Sequence, residues 1–286
     1  MGVLDESYRL VNGVRVPKIG LGTWHMPEGR TTYEAVSFAL VNGYRHIDTA
    51  HGYGNEASVG SAVRDCGIER KEIFVTSKLP ADVKDYEGAL KSFDSTMERL
   101  GLEHLDLYLI HAPWPWNKAG LDFRAENSRV WKALEMIYKS GRCRAIGVSN
   151  FEISDLTSLV QNCEIEPMVN QIKFHVGNTQ EGLKQYCQQN RMLVEGYSPL
   201  ATGAILGNDA IAAVAEKYDS TVAKICIRYV LQREVLPLPK SVHPEYILQN
   251  ADVNFEIRPD DMALLDSMKN TASGGLVRKG LRMILR

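Results

Sequence analysis

Four side chains of chemically useful type stand at or just beyond the ends of short apolar runs. Asp48 closes the run YRHID, Tyr53 follows it within DTAHGYGNE, Lys78 closes IFVTSK and His111 closes LDLYLIH. A free tyrosine titrates near pH ~10 and is a sluggish acid at neutrality. An ammonium beside it favours the phenolate and lowers that pKa. A carboxylate can hold the ammonium there as an ion-pair partner. A neutral histidine can donate a hydrogen bond that orients a carbonyl oxygen. That oxygen gains charge as a hydride arrives at carbon, and preorganised donors stabilise it. The four types together describe carbonyl reduction without a metal. Singly, they read as a turn cap, a loop aromatic, a solvated strand end and a satisfied core histidine. Their arrival from consecutive strand ends is what favours the chemical reading.

The elements that must position them alternate. Apolar runs at 18–22, 44–48, 73–78, 105–111, 143–149, 168–172, 193–197 and 234–239 read as eight strands. Helical patterns lie at 31–43, 56–67, 86–101, 128–141, 154–162, 181–190, 209–218 and 221–233, with two more around PEYILQN and RPDDMALLDSM. Several stop at a glycine. Strands alternating with helices imply parallel β-α units. Eight of them without a linker imply one closed (β/α)8 TIM barrel spanning 1–286, with its chemistry at the C-terminal strand ends. YRLVNGVRVP places Asn12-Gly13 between two alternating runs, which predicts a type I′ hairpin over 8–16 closing the bottom of the barrel. A doubly wound sheet is the runner-up, weakened because no run is followed by G-x-G-x-x-G.

Composition excludes other classes. The formal charge is −2 and charged residues make up 24% of the chain, so no global field calls for nucleic acid or an anionic membrane. The five cysteines, Cys66, Cys143, Cys163, Cys187 and Cys226, form no C-x-x-C pair and no zinc spacing. They read as reduced thiols of a cytoplasmic protein. The first residues lack a secretory pattern, and no apolar run reaches membrane-spanning length.

DTAHGYGNE and LDLYLIH, with GVSNF (147–151), NQI (170–172), YSPL (197–200) and LPKS (238–241) in order, resemble the aldo-keto reductases over nearly the whole chain. The resemblance implies Tyr53 as general acid, with Asp48, Lys78 and His111 completing a tetrad. It implies a hydride delivered from C4 of a nicotinamide. Ser149, Asn150 and Gln171 would bond the nicotinamide carboxamide, and Tyr197 would stack on the ring. Ser198 and Leu200 would join the cofactor contacts. Thr23, Trp24 and Asp48 would border the cofactor or substrate pocket. Lys240 and Ser241 would meet the adenosine 2′-phosphate, with His243, Tyr246, Gln249 and Asn250 nearby. The substrate would be a small carbonyl compound, and a monomer needs no further assumption.

Three stretches depart from the family pattern. Tyr246 stands where an arginine is common and can stack on adenine without carrying charge. A lost guanidinium–phosphate contact costs about 1.5–3 kcal/mol, so the expectation is NADPH with weakened discrimination, NADH also serving. YSPLATGAILGND is short, which resembles the bacterial 2,5-diketogluconate reductase-like branch and implies faster cofactor exchange than in members with a long loop. In HAPWPWNKAG, Ala112 follows the histidine directly, and Trp114 and Trp116 come later. With Trp24 and His111 they would line an apolar substrate cup. The basic, apolar tail 270–286 reads as a surface tail, then as a substrate-shaping loop or a weak membrane-surface helix.

Two other functions compete. A Schiff-base aldolase would use Lys78 as nucleophile, which needs a depressed lysine pKa. An NADP(H)-binding redox sensor would use the cofactor contacts with little turnover.

Overall fold

The computed structural model describes residues 2–271. The readings for the tail at 270–286 therefore fall outside the described residues from 272 onward.

A short antiparallel hairpin, β1 (Ser7–Arg9) and β2 (Arg15–Pro17), precedes the barrel. Its loop is not the type I′ turn that Asn12-Gly13 predicts. Gly13 N–H donates to the Leu10 carbonyl (2.9 Å), and Gly13 alone in this loop takes a positive φ, 88°. A type I′ turn needs positive φ at both central residues. Here the central residues are Val11 and Asn12, and Gly13 forms the left-handed bulge of a three-residue loop. Asn12 instead donates its amide to the Arg144 carbonyl (2.9 Å) at the N-terminal end of a barrel strand. The hairpin is thereby fixed across the barrel bottom, with Leu10 and Val16 in the core.

The eight predicted runs form β3 (Leu21–Gly22), β4 (His46–Asp48), β5 (Phe74–Leu79), β6 (Leu105–Ile110), β7 (Cys143–Ser149), β8 (Val169–Lys173), β9 (Leu193–Tyr197) and β10 (Leu236–Leu238). They pair in parallel in chain order. The N–H groups of Gly20 and Gly22 reach the carbonyls of Pro237 (3.2 Å) and Pro239 (3.0 Å) and close the barrel. Proline has no N–H to give but keeps its carbonyl, so the seam is bonded in one direction and its two strands are short. A Cβ on Gly22 would stand 3.2 Å from the Leu238 carbonyl oxygen, a reason for glycine at this seam.

Ten helices lie outside the barrel among the described residues, α1 (Arg30–Val41), α2 (Glu56–Asp65), α3 (Tyr86–Leu100), α4 (Arg124–Lys139), α5 (Ile153–Val160), α6 (Glu181–Gln189), α7 (Asp209–Glu216), α8 (Val222–Gln232), α9 (Pro244–Ala251) and α10 (Pro259–Ser267). α3 shows why they form. Asp85 caps its N-terminus by accepting from Gly88 N–H (2.7 Å), and Gly101 ends it in the left-handed region. Ala89, Phe93, Met97 and Leu100 fall on one face and are buried. α1 packs on α2, α2 on α3, α3 on α4, and α9 returns to α1. No helix among the described residues is long and apolar enough to cross a membrane.

Candidate active site

Parallel strands put their C-terminal ends on one rim, and the barrel carries the tetrad there. Asp48 is the last residue of β4, Lys78 is near the end of β5, and His111 directly follows β6. Tyr53 ends a 3-10 turn, His51–Tyr53, after β4.

Lys78 is fully buried, and its Nζ donates to Asp48 Oδ1 (2.7 Å), Asp48 Oδ2 (2.8 Å) and the Thr49 carbonyl (2.8 Å). The ammonium lies 5.0 Å from the centre of the Tyr53 ring. Burial alone would lower the Lys78 pKa, but Asp48 and Tyr53 outweigh it and the net shift is upward. Lys78 is thus held as a cation, opposite to what a Schiff-base nucleophile needs. His111 is the reverse case. Burial and then Lys78 push its ring down to about 3, so it is a neutral imidazole able to donate one N–H.

Tyr53 departs from the sequence expectation. Lys78 does pull its pKa down, yet burial pushes it up more strongly and Asp48 adds to that, so the net direction is upward. Desolvation of a phenolate outweighs a neighbouring ammonium whose charge is already shared with a carboxylate.

The loop carrying Tyr53 is held by Asn55, a residue whose role was not read from the sequence. Its amide donates to the carbonyls of Thr23 (2.9 Å) and Met26 (3.0 Å) and accepts from the Thr49 hydroxyl (2.7 Å). Thr23 in turn gives its hydroxyl to the Asp48 carbonyl (3.0 Å), tying β3 to β4. The next acid, Glu56, points away from the rim to Ser77 (2.5 Å) and Arg99 (2.8 Å).

The adjoining rim is also strapped. Asn150 takes a left-handed φ of 62° and donates to the His111 carbonyl (2.9 Å) and Ser149 Oγ (3.1 Å). Its Oδ1 accepts from the Tyr197 hydroxyl (2.8 Å), and Ser149 donates to the Gln171 carbonyl (2.8 Å). Gln171 reaches across the barrel interior, its Nε2 donating to Asp48 Oδ2 (2.8 Å) and to Glu195 Oε2 (2.8 Å). Glu195 is the second residue missed in the sequence. It is fully buried on β9, and burial with the nearby Asp48 pushes its pKa up to about 8. Near neutrality it is mostly the uncharged acid.

Rings extend the site outward. Tyr53 meets His111 edge-on at 5.6 Å, His111 meets Trp116 at 5.4 Å, and Trp116 meets Trp114 at 5.3 Å. Their loop is held from behind by Lys84, which donates to the Ala112 carbonyl (2.9 Å), and by Asn127, which donates to the Pro113 carbonyl (2.8 Å). Trp24 is 47% exposed and its ring packs on His25 at 3.8 Å.

After β9 the chain turns through left-handed Ser198, Ala201 and Thr202, with Leu200 half-buried between them. Lys240 is exposed just before α9, while Ser241 is buried and bonded to the backbone of His243. Tyr246 is 52% exposed and packs edge-on against His243 at 5.6 Å. Gln249 is exposed, whereas Asn250 faces inward and is only 4% exposed.

The chemistry of the rim fits a nicotinamide dinucleotide. The Gln171 amide oxygen and the second lone pair of Asn150 Oδ1 are acceptors matched to a carboxamide NH2. The Tyr197 ring is tethered beside them by its hydroxyl. Lys240 offers a cation next to a helix N-terminus, which suits a phosphate.

Residues 18–270 match the family model of the aldo/keto reductase family, and the chain belongs to that family. It is an oxidoreductase acting on carbonyl groups. The glyoxal reductase of Bacillus subtilis is 41% identical, the match covering 93% of each chain. The crystal structure of an aldo-keto reductase from a Medee basin deep-sea metagenome library is 40% identical, covers 93% of this chain and 96% of that one, and superimposes with a TM-score of 0.86. A Bombyx mori aldo-keto reductase in complex with NADP is 32% identical, covers 93% of both chains and has a TM-score of 0.84.

Proposed function

We propose that this rim reduces an aldehyde or ketone to its alcohol with NADPH. The observation that carries the proposal is the buried Lys78–Asp48 pair set against Tyr53, with a neutral His111 beside it. The cofactor, when bound, supplies a hydride from C4 of its nicotinamide to the carbonyl carbon. Tyr53 gives its hydroxyl proton to the carbonyl oxygen. Lys78 stabilises the phenolate left behind, and Asp48 keeps Lys78 charged and in place. His111 donates an N–H to the same oxygen and orients it.

Ser149, Asn150 and Gln171 are assigned to the nicotinamide carboxamide and Tyr197 to its ring. Thr23, Trp24, Ser198 and Leu200 border the cofactor. Lys240, Ser241, His243, Tyr246, Gln249 and Asn250 are assigned to the adenosine end. Tyr246 brings no charge to the 2′-phosphate, which supports NADPH preference with measurable NADH use. Trp114, Trp116, Trp24 and His111 are assigned to the substrate side. The short 198–208 segment supports a place near the bacterial 2,5-diketogluconate reductase-like members. The whole is read as a single-domain, cytoplasmic monomer whose partner is a small carbonyl compound.

The test is NADPH oxidation over a panel of glyoxal, a keto acid and an aromatic aldehyde, comparing the protein with Tyr53→Phe and running NADH in parallel. Glyoxal leads the panel because of the Bacillus relative. Turnover in the parent that drops at least ~100-fold in the variant is the expected result. No turnover on any carbonyl, or an unaffected variant, overturns the proposal.

A further inference from the structure

Glu195 is a carboxyl group placed where a barrel strand ordinarily turns an apolar or small side chain inward. It is 0% exposed and sits beside Gln171 in the β8–β9 register. Only one of its oxygens is used, Oε2 accepting from Gln171 Nε2 at 2.8 Å. The other, Oε1, is buried without a hydrogen-bond partner among the described residues. An acid buried for stability alone would be satisfied at both oxygens or replaced by an apolar side chain.

The Gln171 amide explains what the acid does. Its nitrogen lies between two carboxyl groups, Asp48 Oδ2 and Glu195 Oε2, each at 2.8 Å. An amide turned by half a rotation would put its oxygen against both acceptors. Asp48 is only a partial lock, since both its oxygens also accept from Lys78. Glu195, mostly the uncharged acid near neutrality, accepts through Oε2 as its carbonyl oxygen, and its hydroxyl falls on Oε1, away from Gln171.

We propose that Glu195 is a positioning residue that fixes the facing of the Gln171 amide, so that Gln171 Oε1 is presented to the carboxamide N–H of a bound nicotinamide. This rests on the assignment of Gln171 to the carboxamide made above. Glu195 itself touches neither cofactor nor substrate in this scheme. Its effect is on selection of the carboxamide by the site.

The probe is the 3-acetylpyridine analogue of NADP, whose methyl ketone has no N–H to give. Dissociation constants for NADP and the analogue are measured by quenching of intrinsic tryptophan fluorescence. Wild type is compared with Glu195→Gln, Glu195→Leu and Gln171→Leu. One neutral hydrogen bond corresponds to roughly a 2- to 10-fold preference for NADP in the wild type. Gln171→Leu abolishes that preference. Glu195→Leu brings the ratio to within about twofold of Gln171→Leu, by the same one-bond magnitude. Glu195→Gln, which keeps the shape but lets an NH2 face Gln171, falls between and serves if the leucine variant does not fold. A merely structural role weakens both ligands alike and leaves the ratio at the wild-type value. That result, with Gln171→Leu still abolishing the preference, overturns the role of Glu195 alone. A wild type with no preference overturns the Gln171 assignment, and the proposal with it.

Discussion

Lys78 makes all three of its hydrogen bonds inside the protein, two of them to Asp48. Removing the cation leaves a buried carboxylate with Gln171 as its remaining side-chain partner. Lys78→Met is therefore expected to lose stability by about 3–5 kcal/mol, read from urea unfolding, and to lose kcat as well. A variant of unchanged stability would contradict a stabilising role for the buried Lys78–Asp48 pair. That Asp48, Lys78 and His111 come together was legible in the sequence because each sits at or next to a strand end, which hydrophobic runs mark well, and Tyr53 follows on the turn after one of them. Glu195 was not legible. LVEGY reads as an ordinary strand, and its partners come from β8 and, through Gln171, from β4. Only the closed barrel brings them together. The direction of the Tyr53 shift was misread for a related reason. The sequence shows which charges can meet but not how deeply the hydroxyl is buried.

At the level of elements, the rim depends on how tightly α2 and α3 pack behind β4 and β5. Gly60 on α2 lies against the backbone of Leu100 at the end of α3, where a Cβ would collide with the Leu100 carbonyl. Backbone cannot yield as a side-chain tip can. Gly60→Ala is expected to destabilise the protein by about 1–3 kcal/mol or more, measured as a fall in the urea midpoint. Full stability in that variant would show that the helices are free to separate. The ten helices were readable from their periodicity, although α4 begins at Arg124, four residues before the predicted start at 128. Its first turn is polar and carries no apolar stripe to announce it. The hairpin turn was misjudged because Asn-Gly fits two loop geometries, and the contact that selects between them is Asn12 with Arg144 on a distant strand.

For the whole molecule, the polar interior of the barrel makes stability depend on pH from both sides. His46 is fully buried, and burial followed by Lys78 pushes its ring down to about 3 from 6.5. The unfolded chain takes a proton there that the folded protein refuses. This contribution is present above pH 6.5 and is lost as pH falls toward 3. Glu195 is the opposite, held up to about 8 from 4.5. The folded protein keeps a proton that the unfolded chain releases, so this contribution is present below 4.5 and is lost as pH rises through about 8. The two slopes oppose each other between 4.5 and 6.5, so unfolding free energy is expected to decline below 4.5 and again from 6.5 to about 8. Glu195→Gln should flatten the alkaline limb and His46→Gln the acid limb, each by a few kcal/mol. Urea midpoints at a series of pH values check both, and limbs unchanged by the substitutions would place the responsible groups elsewhere.

The most direct measurement follows the hydrogen itself. The protein is given NADPH carrying deuterium at both C4 positions, with glyoxal as acceptor, and the alcohol product is weighed by mass spectrometry. One deuterium on the new carbinol carbon is the expected result, with the rate falling at least ~100-fold in Tyr53→Phe while NADPH still binds. Product without deuterium, or equal rates in the two proteins, would contradict hydride reduction with Tyr53 as the proton donor.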